Sequence, residues 1–115
     1  MRTKFLALAF AALAPVAAVA QQPAALDAVQ INGRQLLNQH CAICHLKPQL
    51  GAKTFGPALD KTTLDGNPVA LRDFIGNGDA RMPGFKYEFS PAQVNAIIAY
   101  LQTVPAPADA APQSR

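Results

Sequence analysis

The sequence lacks tryptophan, and only 7% of its residues are aromatic, so something beyond side-chain packing is expected to help fill the centre. Charged residues make up 15% of the chain, with no block of like charge, and no apolar/polar alternation is long enough for a strand. That removes the β-sheet classes and points to an all-α domain. No internal repeat is present, which excludes a solenoid. The only two cysteines, Cys41 and Cys44, lie two residues apart. That spacing is tight for a plain disulfide. No second pair exists to complete a four-ligand zinc site.

Long apolar runs are missing too, except at the start. Residues 1–20 combine a positive Arg2/Lys4 region, an apolar stretch from Phe5 to Ala14 and an Ala18-Val19-Ala20 cleavage pattern. This is the layout of a secretory signal peptide. The run is short for a membrane helix, which needs about 20 apolar residues, and Pro15 interrupts it. Cleavage after Ala20 and a periplasmic location are therefore expected, with no membrane span in the mature chain. Loss of Arg2 and Lys4 takes the ten Lys+Arg to eight against seven Asp+Glu, a net charge of +1. The basic balance belongs mainly to the signal, so the mature chain offers no argument for nucleic-acid binding.

What is there divides into a lead, one domain and a tail. Residues 21–30 read as a flexible Ala/Gln-rich lead, 31–104 as the domain, and 105–115 as a disordered Pro/Ala-rich tail. A first helix is expected over Asn32–His40, with Ile31, Leu36 and Leu37 inward, running directly into Cys41. Leu46 to Thr63 carries Pro48, Gly51, Gly56 and Pro57 and reads as loop, with one tight turn at Ala58–Lys61. A second helix has Asn67 as N-cap, Pro68 at its first position, Leu71, Phe74 and Ile75 on one face, and Gly76 to end it. A third opens with the capping box Ser90…Gln93, carries the stripe Val94, Ile97, Ile98 and Leu101, and stops at Pro105. Long loops in so small a domain suit a large buried cofactor against which they pack.

Three chemistries compete for Cys41-Ala42-Ile43-Cys44-His45. A redox dithiol belongs at a strand-to-helix turn in a βαβ unit, and no strand is expected here. For zinc, Cys41, Cys44, His40 and His45 are crowded together, and adjacent Cys44 and His45 reach one tetrahedral ion poorly. C-x-x-C-H is the attachment pattern of c-type haem: two thiols bond the porphyrin edge and the following histidine comes under the iron. An exported chain with an all-α layout agrees with the last. Met82 is the only methionine outside residues 1–20, and it lies in the loop Arg81-Met82-Pro83-Gly84-Phe85. Filling a core gap is the ordinary work of methionine; the Pro-Gly loop favours an iron ligand. His40 adjoins the motif on the His45 side and suits packing or solvent better than ligation.

With these residues in place the chain resembles a class I c-type cytochrome, the small monohaem electron carriers. The similarity covers about residues 31–104. It rests on Gly33-Arg34-Gln35-Leu36-Leu37 before the C-x-x-C-H, on Gly56-Pro57-Ala58-Leu59, on the Met82 loop and on Tyr100-Leu101. Leu37 stands where the family often has an aromatic, and Leu46 where it often has glycine. The resemblance implies a cytochrome c fold of three to four short helices with long loops around one haem c. It implies thioether bonds at Cys41 and Cys44, axial ligation by His45 and Met82, and a Pro57 carbonyl accepting a hydrogen bond from His45. It also implies that Gly33 lets the first and last helices cross closely, near Tyr100.

The expected function is outer-sphere transfer of single electrons, not enzymatic catalysis. The chain would act as a free carrier or as the electron-accepting subunit of a periplasmic dehydrogenase, with that dehydrogenase or a terminal oxidase or reductase as redox partner. The sequence leaves the oligomeric state open. Lys47, Lys53, Lys61 and Lys86 could steer partners, though each equally suits a solvated surface. The competing reading is a haem enzyme or ligand sensor with an open sixth site. It needs Met82 not to ligate, and no acid–base residue beside Met82 is evident to serve it.

Overall fold

The computed structural model describes residues 24–46 and 53–107. The expected signal peptide at 1–20, the start of the lead and most of the tail lie outside the described residues. Four α-helices follow in order: α1 (Ala28–His40), α2 (Ala42–His45), α3 (Pro68–Asn77) and α4 (Pro91–Leu101), with a 3-10 turn at Thr63–Gly66 before α3. The described residues contain no strand, and the fold is all-α.

Helix α1 begins earlier than expected. Asp27 caps it: its carboxylate accepts the Gln30 N–H at 2.8 Å, and the Gln30 side chain accepts the Asp27 N–H at 3.0 Å. This reciprocal box satisfies two N–H groups that the first turn leaves unpaired. The end of the lead is therefore helical. Gly33, Leu36 and Leu37 form the buried face of α1, whereas Ile31 is 38% exposed. Helical periodicity explains the correction, because Ile31 falls outside the 33/36/37 stripe.

Helix α4 supplies the other half of the core through Val94, Ala96, Ile97, Ile98 and Leu101. Leu71 and Ile75 of α3 and Phe89 complete it, with Leu59, Leu64, Phe85 and Tyr100 packed at its margin. Gly33 lies against the α4 backbone: a Cβ built there would overlap the Ala96 carbonyl and come within 2.9 Å of the Ile97 nitrogen. The close crossing of the first and last helices is thus at Ala96–Ile97, one turn before Tyr100. Helix spacing this short requires a residue without a side chain on one partner.

Two helix ends also differ from expectation. Helix α3 continues through Gly76 and ends at Asn77, with Gly78 as its cap at φ +67°, a left-handed geometry that glycine adopts without strain. Helix α4 ends at Leu101, before Pro105. Both the N–H and the hydroxyl of Thr103 donate to the Tyr100 carbonyl, diverting it from the helical ladder. The chain then peels away so that the Val104 carbonyl accepts the Lys61 N–H at 3.0 Å.

That contact anchors the middle loop, whose turn is at Lys61–Gly66 and not at Ala58–Lys61. Asp60, only 4% exposed, organises it. Its carboxylate accepts the N–H and hydroxyl of Thr62, and its own N–H donates to the Thr63 hydroxyl.

Candidate functional site

Helix α1 delivers the motif. Cys41 caps α1, with its N–H donating to the Leu37 carbonyl, and its own carbonyl accepts the N–H groups of Cys44 and His45. Ala42–His45 therefore forms a single helical turn in which both thiols are half-buried and unpaired. Burial pushes the Cys41 thiol above the ordinary range, and the neighbouring Cys44 adds to the shift. Ile43, between them, is 90% exposed.

The imidazole of His45 is held by a segment a dozen residues later. Gly56 N–H donates to the Cys44 carbonyl at 2.8 Å, which brings Pro57 against the ring. His45 Nδ1 lies 2.7 Å from the Pro57 carbonyl oxygen. A carbonyl only accepts, so Nδ1 carries the proton and donates. In the neutral ring, Nε2 is then left with its lone pair available to a metal. Gly56 is part of the same cradle, since a Cβ there would lie 2.6 Å from His45 Cε1 and 2.8 Å from Nδ1.

Cys41, Cys44 and His45 line one pocket together with Met82 and Pro83, and Phe85 and His40 also face it. Phe85 stacks on Phe89 at 5.3 Å between centroids, and His40 meets the same Phe89 edge-on at 4.9 Å. His40 thus has a packing partner inside the pocket wall. Arg81 lies 5.5 Å over the ring of Phe55, linking the Met82 loop to the segment that holds His45. Lys86 stacks on Tyr87 instead, 5.1 Å from its centroid.

The sequence reading missed Asp79. An acid does stand beside Met82: Asp79 accepts the N–H groups of Arg81 at 2.7 Å and Met82 at 2.8 Å. These two backbone donors, Arg81 first, hold its carboxyl below the ordinary range, and the Arg81 charge contributes. The group is exposed and occupied by backbone donors, so it is poorly suited to proton transfer in the pocket. An aspartate two and three residues ahead of loop N–H groups, here directly after Asn77-Gly78, is the signature of this bond.

Two thiols, an imidazole with a free Nε2 and a thioether in one largely apolar pocket fit a haem attached through both cysteines. A bare metal ion fits less well: among the described residues no three His, Cys, Asp or Glu side chains are grouped to hold one. Residues 28–101, well over half of the chain, match the family described as cytochrome C oxidase, cbb3-type, subunit III. The chain belongs to this family. No curated protein matches it significantly. Family and motif together make it a small helical c-type cytochrome domain, and Cys41-Ala42-Ile43-Cys44-His45 supports covalent haem c attachment. No described helix is long and apolar enough to cross a membrane.

Proposed function

We propose that this chain is a monohaem electron carrier of the class I type, exported through a cleaved N-terminal signal and working in the periplasm. The observation that carries the reading is the lining of a single pocket by Cys41, Cys44, His45 and Met82. The two cysteines suffice for one haem c. A haem held there supplies a one-electron ferric/ferrous couple.

The chain's own residues do the rest. Cys41 and Cys44 tether the group. His45 ligates through Nε2, with Pro57 holding the ring and raising its basicity. Met82 ligates from the other loop, and a thioether there raises the potential relative to a second nitrogen ligand. Pro83, Phe85 and His40 line the rest of the pocket. The family's description names an oxidase subunit, which favours a terminal oxidase assembly over a dehydrogenase as redox partner.

The test is expression of the precursor with the c-type maturation machinery, followed by absorption spectra. Haem retained by the denatured chain, and a weak red band in the native ferric protein, are the expected results. Attached haem without that band, and with ready carbon monoxide binding, would establish an open-site sensor or enzyme instead. No attached haem would return Cys41 and Cys44 to thiol chemistry.

A further inference from the structure

Both backbone polar groups of Met82 are taken by one residue. Asp79 accepts the Met82 N–H at 2.8 Å through its carboxylate and donates its own N–H to the Met82 carbonyl at 2.9 Å. The same carboxylate oxygen accepts the Arg81 N–H at 2.7 Å. The segment is stitched to the end of α3 on both sides. Gly78 N–H donates to the Phe74 carbonyl at 2.8 Å, and Phe85 and Lys86 N–H groups donate to Ile75 and Gly76 at 2.9 and 3.1 Å. Between those stitches Asp79 fixes the backbone of Met82.

Helix stability does not explain a carboxylate here. Asp79 follows the C-terminus of α3, where the helix dipole disfavours an anion. Its favourable interactions are the charge-assisted bonds to the Met82 loop, which are stronger than neutral ones. Being exposed, the carboxylate makes them with little desolvation cost.

We propose that Asp79 is a positioning residue for the sixth ligand. It sets the backbone position from which the Met82 thioether enters the pocket, and so controls how readily Met82 yields to an exogenous ligand. The inference rests on the reading of Met82 as an axial ligand.

The experiment uses the haem-loaded protein with Asp79→Ala, Asp79→Asn and, as the open-site reference, Met82→Ala. It measures the red methionine–iron band, the rate of cyanide binding to the ferric protein at neutral pH, and guanidinium unfolding. Asp79→Ala should weaken the band and speed cyanide binding at least about tenfold, because two hydrogen bonds to a charged acceptor are lost. Asp79→Asn keeps an acceptor oxygen and should stay within about threefold of wild type, since a neutral acceptor retains roughly half the strength. An unchanged cyanide rate in Asp79→Ala, even with weakened unfolding, would make Asp79 merely structural and overturn the proposal. So would Asp79→Asn behaving like Asp79→Ala. A wild-type protein without the band would overturn the Met82 reading itself, and this proposal with it.

Discussion

Replacing Gly33 by alanine tests the core directly. On an exposed helix the change would stabilise by about 1 kcal/mol, because alanine is the better helix former. Here the new Cβ overlaps the Ala96 carbonyl and sits 2.9 Å from the Ile97 nitrogen. Non-bonded carbon contacts want about 3.5 Å or more. The obstacle is backbone, so no rotamer change relieves it, and α1 and α4 must separate. That loosens Leu36 and Leu37 against Val94, Ile97, Ile98 and Leu101, all buried. Overpacking costs about 1–3 kcal/mol. An unyielding partner places this site near the upper value, for a net loss of about 2 kcal/mol after the propensity gain. For a domain of this size that is a fall in Tm of about 8–16 °C. Circular dichroism at 222 nm, in heat and in guanidinium, reads it. Asn38→Ala, exposed on the same helix, is the control and should gain a few tenths of a kcal/mol, roughly the propensity difference. A Gly33→Ala protein as stable as wild type would refute the close crossing.

Gly56→Ala should displace the His45 imidazole, 2.6 Å from the added Cβ, and weaken its bond to Pro57; a changed Soret band and a higher reduction potential in the haem-loaded protein, because a less basic imidazole stabilises ferric iron less, would register this, and an unaltered spectrum would contradict it. Asp60→Ala removes the carboxylate that accepts the Thr62 N–H and hydroxyl, keeps the backbone bond to Thr63, and should cost about 1–3 kcal/mol, the range for hydrogen bonds to a charged acceptor; denaturant unfolding measures it, and a loss under about 0.5 kcal/mol would count against a structural carboxylate. In haem-free protein the raised Cys41 pKa leaves less thiolate at a given pH. Its alkylation by iodoacetamide should therefore lag that of an unstructured cysteine peptide at pH 8 and catch up as pH rises; equal rates at pH 8, followed by mass spectrometry, would reject the burial argument.

The attachment motif was legible because it is local. Cys41, Cys44 and His45 are placed by one helical turn, so spacing alone determines their relation. The caps at Asn67 and Ser90 and the stripe of α4 are local too, and the structure has them where periodicity put them. The Asp27…Gln30 box was equally local and was passed over because its surroundings are Ala/Gln-rich. Ile31 faces outward because, once the helix begins at Ala28, it lies on the side of α1 away from Gly33, Leu36 and Leu37.

Other relations depend on chain segments far apart in sequence. The His45–Pro57 hydrogen bond and a close crossing at Gly33 could be expected only through resemblance, which put that crossing near Tyr100 and not at Ala96, and the Pro-Gly loop of Met82 favoured but did not specify a pocket shared with Cys41 and Cys44. No periodicity encodes them, because each is set by how α1 packs on α4 and how the loops return over that pair. The sequence by itself determined which groups are available: two thiols, an imidazole and a thioether, on helices and loops of the right type. The tertiary structure decided which of them meet, which nitrogen of His45 stays free, and that Asp79 holds the backbone of Met82. Those outcomes follow from long-range packing and directional hydrogen bonds, which one-dimensional spacing does not specify.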